Sequence, residues 1–290
     1  MASKEFEKLM AYMAANPMPK VSREKTRENM STFGANAQLP ENVTSQDPSD
    51  APVRTRLFAP DKAGPGLILF AHGGGFTLGS IESHMHVAAW LAHYAGMPVV
   101  IFDYSLAPEA PFPAALEDFR AMFEWALGKG HAASSLGLAG DSAGANLGVS
   151  LAANGYVERP GAIAALSPSF NLAGYLAIDP EENPDKSFSA DEIAEGFRLY
   201  LGSTAPDDPR ASPNFADLSK LPPTLVQFAT EEVFAPGARD LAEKAKAAGA
   251  EIEIDEWPEM THDWHWFAPR LPEAREALER AGTFLAQNLK

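Results

Sequence analysis

The chain has no cysteine among its 290 residues. This excludes disulfide bonds, a thiolate nucleophile and zinc sites with cysteine ligands. Basic residues are also scarce, with 23 lysines and arginines against 39 acidic residues and a formal charge of −16. A field of this sign repels phosphate backbones and anionic lipid, so we expect neither a nucleic-acid partner nor a membrane partner.

Long apolar segments are missing as well. The apolar runs, such as residues 67–71, are far shorter than the roughly 20 residues needed to span a bilayer. The first ten residues, MASKEFEKLM, carry charges where a signal peptide would have an apolar stretch. We therefore predict a cytoplasmic protein.

From residue 66 onward, short apolar segments rich in β-formers alternate with longer helical segments. Strands are predicted at about 66–71, 98–103, 136–140, 162–167, 224–229 and 251–256. Helices are predicted near 81–95, 113–128, 143–154, 236–249 and 272–288. Alternation at Val53, Thr55 and Leu57 indicates antiparallel strands ahead of this set. The pattern is typical of an α/β protein with a mostly parallel sheet and helices on both faces.

Two regions break the alternation, residues 1–40 and residues 171–215. The second is too long for a structureless loop in a compact domain, and residues 190–200 are its best helical segment. In the first, apolar residues recur at helical spacing, namely Phe6, Leu9, Met10 and Met13. We expect both regions to cover the strand ends and this apolar face to close a pocket.

A G-x-S-x-G pattern, Gly140-Asp141-Ser142-Ala143-Gly144, lies where a predicted strand gives way to a helix. Such an abrupt reversal strains the serine backbone, and the glycines let the neighbouring chain pass without Cβ clashes. The hydroxyl is then presented at the end of the sheet, beside a helix amino terminus that favours a developing negative charge. Ser142 is the candidate nucleophile.

Three glycines follow His72 at the end of the first predicted strand. Chain without side chains can aim several backbone N–H groups at one point, as an oxyanion hole requires. We expect Gly74, Gly75 and Ala143 to provide these donors.

A serine nucleophile needs a histidine base that is held by a third group. Of the 7 histidines, five are interpreted as packing, surface or glycine-loop residues: His72, His84, His86, His93 and His131. His262 and His265, after the last predicted strand, are the candidates for the base. No convincing carboxylate stands at metal-ligand spacing from the histidines, so no metal is expected.

The triad acid is expected after the serine and before the histidine along the chain. The strand predicted at 224–229 leads to Glu231 and Glu232. Adjacent residues of an extended chain point to opposite sides, so only one of the two can reach the histidine.

Several segments together resemble the hormone-sensitive-lipase family of α/β-hydrolases, in its bacterial carboxylesterase branch. They are HGGGF at 72–76, FDYSLAPEAPFPAALED at 102–118, GDSAG at 140–144, the acidic pair before Val233-Phe234, and MTHDWHWF at 260–267. The resemblance covers nearly the whole chain and implies an α/β-hydrolase fold with a helical cap. The cap would comprise residues 1–40 and 171–215, over a core of residues 41–170 and 216–290.

This resemblance also implies Ser142 as nucleophile, His262 as base and Glu232 as orienting acid, without a cofactor. Two positions differ from the family pattern. Ser105 stands where members usually have arginine, so any support that this arginine gives the oxyanion loop must come from elsewhere. Glu232 replaces a common aspartate, and its extra methylene keeps Glu231 as an alternative acid.

The expected function is hydrolysis of carboxylic esters through an acyl-enzyme, on neutral short-chain acyl esters or small lactones. The alternatives are an acyltransferase and a non-catalytic small-molecule receptor, although a receptor would be expected to have lost a triad member. The oligomeric state is left open, with a homodimer as one option.

Aromatic residues are the candidates for lining the substrate pocket. They are Phe76, Phe170, Phe188, Phe197, Tyr200, Phe234 and Trp264. Residues 179–208 also carry nine acidic against two basic side chains, a local charge of −7. We expect this charge to disfavour anionic substrates.

Overall fold

The computed structural model describes residues 2–16, 20–178 and 190–290. The helices are α1 (Lys4–Ala15), α2 (Arg23–Ala35), α3 (Ile81–Ala95), α4 (Ala114–Gly128), α5 (Ala143–Ala153), α6 (Leu172–Leu176), α7 (Ala190–Leu201), α8 (Ala235–Ala247) and α9 (Pro272–Asn288). The strands are β1 (Val43–Gln46), β2 (Thr55–Pro60), β3 (Leu67–Ala71), β4 (Val99–Phe102), β5 (Leu136–Asp141), β6 (Ala162–Leu166), β7 (Thr224–Ala229) and β8 (Ile252–Trp257).

The strands of the described chain form a single sheet in the order β1-β2-β4-β3-β5-β6-β7-β8. Strand β2 runs antiparallel to both of its neighbours, and the pairs from β4 to β8 are all parallel. This topology confirms the predicted α/β fold, with its antiparallel pairing ahead of a parallel set.

The strands and helices predicted from residue 66 onward lie within two residues of their predicted ends, and the helix predicted at 190–200 is α7. Two elements were not located from the sequence. Strand β1 has little apolar signal because three of its four residues are exposed, and α6 is a single short turn of five residues.

Side chains alternate along the central strands between two cores on opposite faces of the sheet. In β3, Leu67 and Leu69 belong to the first core, and Ile68 and Phe70 belong to the second. Helices α4, α5 and α8 pack on the first core, and α3 and α9 pack on the second. Every residue of α5 is buried, so the helix that follows Ser142 is enclosed by its neighbours.

The segments predicted to carry chemistry follow the parallel strands. The glycine loop follows β3, Ser142 follows β5, Glu232 follows β7 and His262 follows β8. Carboxyl ends of parallel strands meet at one edge of a sheet, which is where ligands bind in open α/β folds. The fold thus gathers these residues from widely separated parts of the chain.

Candidate active site

Ser142 stands on a sharp turn between β5 and α5. Its φ is +49° and its ψ −111°, a conformation that is strained for a residue with a side chain. The turn is possible because glycines flank it: a Cβ at Gly144 would lie 1.9 Å from the carbonyl oxygen of Ala71, and one at Gly140 would lie 2.5 Å from that oxygen. Close packing against β3 therefore fixes the position of the serine.

The ring of His262 links Ser142 to Glu232. Its Nε2 lies 3.1 Å from Ser142 Oγ, and its Nδ1 lies 3.4 Å from Glu232 Oε2. Both side chains are buried, that of Glu232 completely. The neighbouring Glu231 is exposed. Of the two candidate acids, Glu232 is the one that the structure places beside the histidine.

His265, the other candidate base, has different contacts. It is buried, its Nε2 lies 3.3 Å from the side-chain oxygen of Gln227, and its ring packs against Trp264. Burial lowers the pKa of His265 to about 3, which keeps the ring neutral. It is a packing residue of the second core.

Asp263, which the sequence reasoning did not single out, also touches His262. Its Oδ2 lies 3.1 Å from His262 Nε2, the nitrogen that faces Ser142. Burial by itself lowers the pKa of His262, yet the negative charges of Asp263 and Glu232 raise it well above its ordinary range. The only sequence signal was its position directly after the histidine.

The glycine loop has the conformation expected of an oxyanion hole. Gly74 and Gly75 have φ values of +118° and +58°, which favour glycine. A Cβ at Gly74 would also lie 2.4 Å from the carbonyl oxygen of Leu78. Among the described residues, the N–H groups of Gly74, Gly75 and Ala143 have no protein acceptor. They are available to a ligand oxygen.

A buried chain of polar groups ties this loop to the serine turn. Gly73 donates its N–H to Asp141 Oδ1 at 3.0 Å, and the other oxygen of Asp141 lies 3.2 Å from His84 Nε2 on α3. Tyr104 donates its hydroxyl to the carbonyl oxygen of His72 at 2.8 Å. His84 thus packs beneath the site as expected, and its ring also contacts the carboxyl group of Asp141.

An arginine from α2 supports the far side of the glycine loop. Arg27 donates to the carbonyl oxygens of Thr77 at 2.8 Å and Ala107 at 3.0 Å, and its guanidinium pairs with both oxygens of Glu109. Arg27 therefore joins the two loops next to Ser105, where the usual arginine is missing. Sequence reasoning missed it because it lies 50 residues before Thr77.

Four of the predicted pocket residues meet in one aromatic cluster. The ring of Phe76 stacks on that of Tyr200 with centroids 3.7 Å apart, and Phe197 lies 6.0 Å from both Phe76 and Phe234. Phe234 in turn contacts the ring of His262 at 4.9 Å. We call Phe76, Phe197, Tyr200 and Phe234 the aromatic cluster.

The other predicted pocket residues have different locations. Phe170 is buried in the first core together with the cluster, and Phe188 lies outside the described residues. Trp264 belongs to the second core, where it packs on Trp257 at 5.6 Å. Trp264 was expected to line the pocket with the other aromatic residues, but the chain turns at Asp263, between it and His262. Tyr175, which was not predicted, contacts Phe197 and Phe234.

Helix α1 does not pack on the aromatic cluster. Phe6 is buried in the second core, with Met10 packed against the same group, and the Ser3 N–H donates to Glu273 on α9 at 2.6 Å. The expectation that its apolar face closes the pocket is therefore wrong for Phe6 and Met10. An amphipathic pattern predicts that one face is buried, but it does not identify the surface that covers it.

Two classes of site are not found in the described part of the chain. No group of three or more potential ligands could hold a metal ion there. Within the same residues, no helix combines the length and apolar character needed to cross a membrane.

Comparisons with known proteins identify relatives that share the fold. The sequence profile of a family with the alpha/beta hydrolase fold matches residues 68–266. An acetyl-hydrolase of Streptomyces hygroscopicus is 40% identical over 222 residues, which cover 75% of this chain and 74% of that protein. The carboxylesterase/phospholipase LipF of Mycobacterium tuberculosis is 33% identical over 269 residues, covering 89% and 70%. The crystal structure of an esterase from the bacterial hormone-sensitive lipase family superposes with a TM-score of 0.91, at 32% identity and 100% coverage of both chains.

Proposed function

The chain belongs to the α/β-hydrolase family that includes the bacterial hormone-sensitive-lipase esterases and is a serine carboxylesterase, and we propose that Ser142, His262 and Glu232 are its catalytic triad. One observation carries the proposal. A single buried imidazole lies 3.1 Å from Ser142 Oγ and 3.4 Å from Glu232 Oε2 through its two different nitrogens. The second distance is long for a hydrogen bond, as is common before substrate binds.

The proton movements follow from these contacts. Ser142 Oγ attacks the ester carbonyl carbon while its proton passes to His262 Nε2, and Glu232 stabilises the imidazolium that forms. The carbonyl oxygen becomes an oxyanion that the N–H groups of Gly74, Gly75 and Ala143 can bind. Nε2 then returns the proton to the departing alcohol. The acyl group is left on Ser142, and water releases it by the same steps in reverse order.

The aromatic cluster supports a neutral, apolar acyl group of limited length. The cluster joins two parts of the site. Phe76 follows the glycines of the oxyanion loop and stacks on Tyr200, and Phe234 contacts the ring of His262. All four side chains are buried and packed on one another, so the space beside Ser142 is walled by rings. Short-chain acyl esters and small lactones match such walls better than long acyl chains.

Charge near the insertion also supports neutral substrates, although less strongly than its composition suggests. Glu195 pairs with Arg23 of α2 at 2.8 Å, and Asp208 pairs with Arg210 at 2.6 Å, so two acidic groups are offset by arginine. Asp263, in contrast, places a carboxyl group within the site itself. Repulsion of an anionic substrate would come more from Asp263 than from the surface charges, which salt screens.

We propose that the cap comprises residues 1–40 and 171–215 and that its helices α2 and α7 carry the contacts with the oxyanion loop. Helix α7 carries two of the aromatic cluster residues and approaches the loop so closely that a Cβ at Gly196 would lie 3.3 Å from the carbonyl oxygen of Gly75. Helix α2 reaches the same loop through Arg27. The part of the cap formed by α2 and α7 thus covers the site and also supports it.

Pre-steady-state kinetics test the acyl-enzyme. With an aryl ester that acylates faster than it deacylates, the wild-type protein should release a burst of phenol equal to the enzyme concentration. Ser142→Ala should show neither the burst nor the steady state above buffer hydrolysis. A burst that survives in Ser142→Ala would refute the assignment of the nucleophile.

A matched pair of esters, one neutral and one anionic, tests the proposed substrate class. The kcat/KM for a short neutral ester should exceed that for its carboxylate-bearing analogue, and the difference should persist at high salt if the carboxyl group of Asp263 is responsible. Equal values for the two esters, or a preference for the anion, would contradict a site that selects neutral groups.

A further inference from the structure

The backbone at Asp263 turns its carboxyl group back onto the catalytic ring. Asp263 has a left-handed conformation with φ +52°, and its N–H donates to Ser167 Oγ at 3.1 Å, at the end of β6. This anchor leaves Oδ2 3.1 Å from His262 Nε2, the same separation that this nitrogen has from Ser142 Oγ. Two oxygens therefore compete for one ring nitrogen.

Only a proton between the two groups makes the contact of Nε2 with the Asp263 carboxyl group favourable. A neutral ring with its proton on Nδ1, toward Glu232, has a lone pair on Nε2, and a lone pair can accept the Ser142 hydroxyl. It cannot bind an ionised carboxylate, which has no hydrogen to donate. A contact of 3.1 Å between Nε2 and Oδ2 therefore requires either an imidazolium ring or a protonated Asp263.

We propose that Asp263 shares a proton with Nε2 of His262 in the free enzyme, and that this nitrogen can accept the Ser142 proton only after the shared proton has left. The proposal rests on the proposed triad. It makes Asp263 a catalytic residue, because its oxygen touches the nitrogen through which the serine proton must pass. The proton has a route to solvent, since 19% of the Asp263 side chain is exposed.

The charges around the pair favour holding this proton. Burial, aided by the charge of Asp141 and opposed by the His262 ring, raises the pKa of Asp263 to about 6. Glu232 faces the ring from the turn after β7, and His265 in the next turn is kept neutral by burial. Glu232 and Asp263 thus both contact the imidazole of His262, and their charges raise its pKa.

The sign of the pH effect follows directly. Below the raised pKa of His262 the shared proton is held and Nε2 cannot act as a base, so activity falls as the pH drops through that value. Without the Asp263 charge, the charge of Glu232 would still raise the pKa of the ring, but by less. The loss of activity should then occur at a lower pH, nearer the ordinary value of about 6.5 for histidine.

The kinetic test is Asp263→Asn, which keeps the size of the side chain and removes its charge. The midpoint of the acid limb of kcat/KM, measured with a neutral ester, should fall by about one pH unit or more. Glu259→Gln is the matched control: Glu259 lies in the same loop, is exposed and accepts from the N–H of Ala2. The control should leave the midpoint unchanged. An unchanged midpoint in Asp263→Asn, or an equal shift in the control, would overturn the proposal.

A second measurement does not depend on activity or on any variant. In the wild-type protein with ¹⁵N-labelled histidine, NMR should find protons on both ring nitrogens of His262 at about pH 7, where an ordinary histidine is mostly neutral. A neutral His262 ring at that pH, together with an Asp263 side chain that ¹³C NMR shows to be ionised, would overturn the shared proton and leave the triad intact. Ester hydrolysis that survives Ser142→Ala would instead refute the proposed triad, whatever the state of the ring.

Discussion

The proposed triad, which we call the floor of the site, and the helices α2 and α7, which we call its cover, are built in different ways. Ser142, Glu232 and His262 stand on turns at the ends of buried parallel strands, and each side chain is at most 6% exposed. The cover, formed by α2 and α7, is attached through ring packing and through the hydrogen bonds of Arg27 to Thr77 and Ala107. Its two helices are joined by Arg23 and Glu195, and the Glu195 side chain is 63% exposed. Backbone geometry thus fixes the floor, while the cover depends on a few side chains.

The same contrast divides the amino-terminal region itself. Helix α2 contacts the oxyanion loop through Arg27, whereas α1 buries Phe6 in the second core on the opposite face of the sheet. The two neighbouring helices therefore contribute differently, α2 to the site and α1 to the second core. We expect changes in the floor to abolish turnover, changes in α2 to weaken it, and loss of α1 to affect mainly stability.

The largest effect is expected at the floor. Ser142→Ala should lower kcat on the order of 10⁶-fold, and His262→Ala should lower it by a similar factor, because nucleophile and base act as a unit. Their double variant should be no slower than either single one. Additive losses, measured with substrate self-hydrolysis subtracted, would show that the two side chains do not act together.

The next effect separates the two adjacent glutamates. Glu232→Gln should reduce kcat by about 10⁴-fold, because an amide cannot stabilise the imidazolium and favours the wrong tautomer. Glu231→Gln is the matched control and should have little effect, since Glu231 is exposed. The reversed ranking would transfer the role of the acid to Glu231.

A smaller effect is expected where the cover meets the floor. Arg27→Ala should reduce kcat/KM by roughly tenfold, because it frees the loops at Thr77 and Ala107, and misplacement of a site by 1 Å can cost about 10²-fold. Arg27→Lys should recover little, since a lysine lacks the planar fork of donors. Lys25→Ala, on the same helix but paired with Glu28, is the control. Equal losses in the two alanine variants would remove Arg27 from the account.

The smallest effect on activity is expected in α1. Deleting residues 1–16 should lower the free energy of unfolding by about 1.5–3 kcal/mol, the contribution of one buried phenylalanine such as Phe6, with kcat/KM close to wild type. Deleting residues 1–35 removes Arg27 as well and should also reduce kcat/KM. An altered ester profile after the shorter deletion would mean that α1 belongs to the cover of the site after all.

The sequence predicted the floor well because its residues are set by local rules. Each signal predicts a local structure: apolar segments predict strands, a glycine-flanked serine predicts a sharp turn, and three successive glycines predict a loop with free N–H groups. The parallel order of the strands then brings their ends together. The resemblance favoured Glu232 over Glu231, but only the structure shows which of the two faces the histidine, since adjacent residues carry the same chemistry and differ only in direction. The contacts of Asp263 depend on a left-handed turn that no composition signal marks.

The cover was predicted less well, because its contacts join distant parts of the chain. Arg27 lies 82 residues from Glu109, and nothing in the sequence around either residue indicates the pair. Trp264 was expected to line the pocket as an aromatic residue, although its side chain packs in the second core. The helix that carries Arg27 and the loop that carries Trp264 were both predicted, but the surfaces that they pack against were not.

Labelling with a fluorophosphonate probe, followed by peptide mapping, tests the central claim most directly. A serine activated by His262 should react with the probe, so the account predicts one label per chain, on Ser142, with a rate that drops sharply in His262→Ala. Ser142→Ala should stay unlabelled and inactive. Labelling of a different serine, or a protein that hydrolyses esters at the wild-type rate with Ser142 unlabelled, would contradict the account.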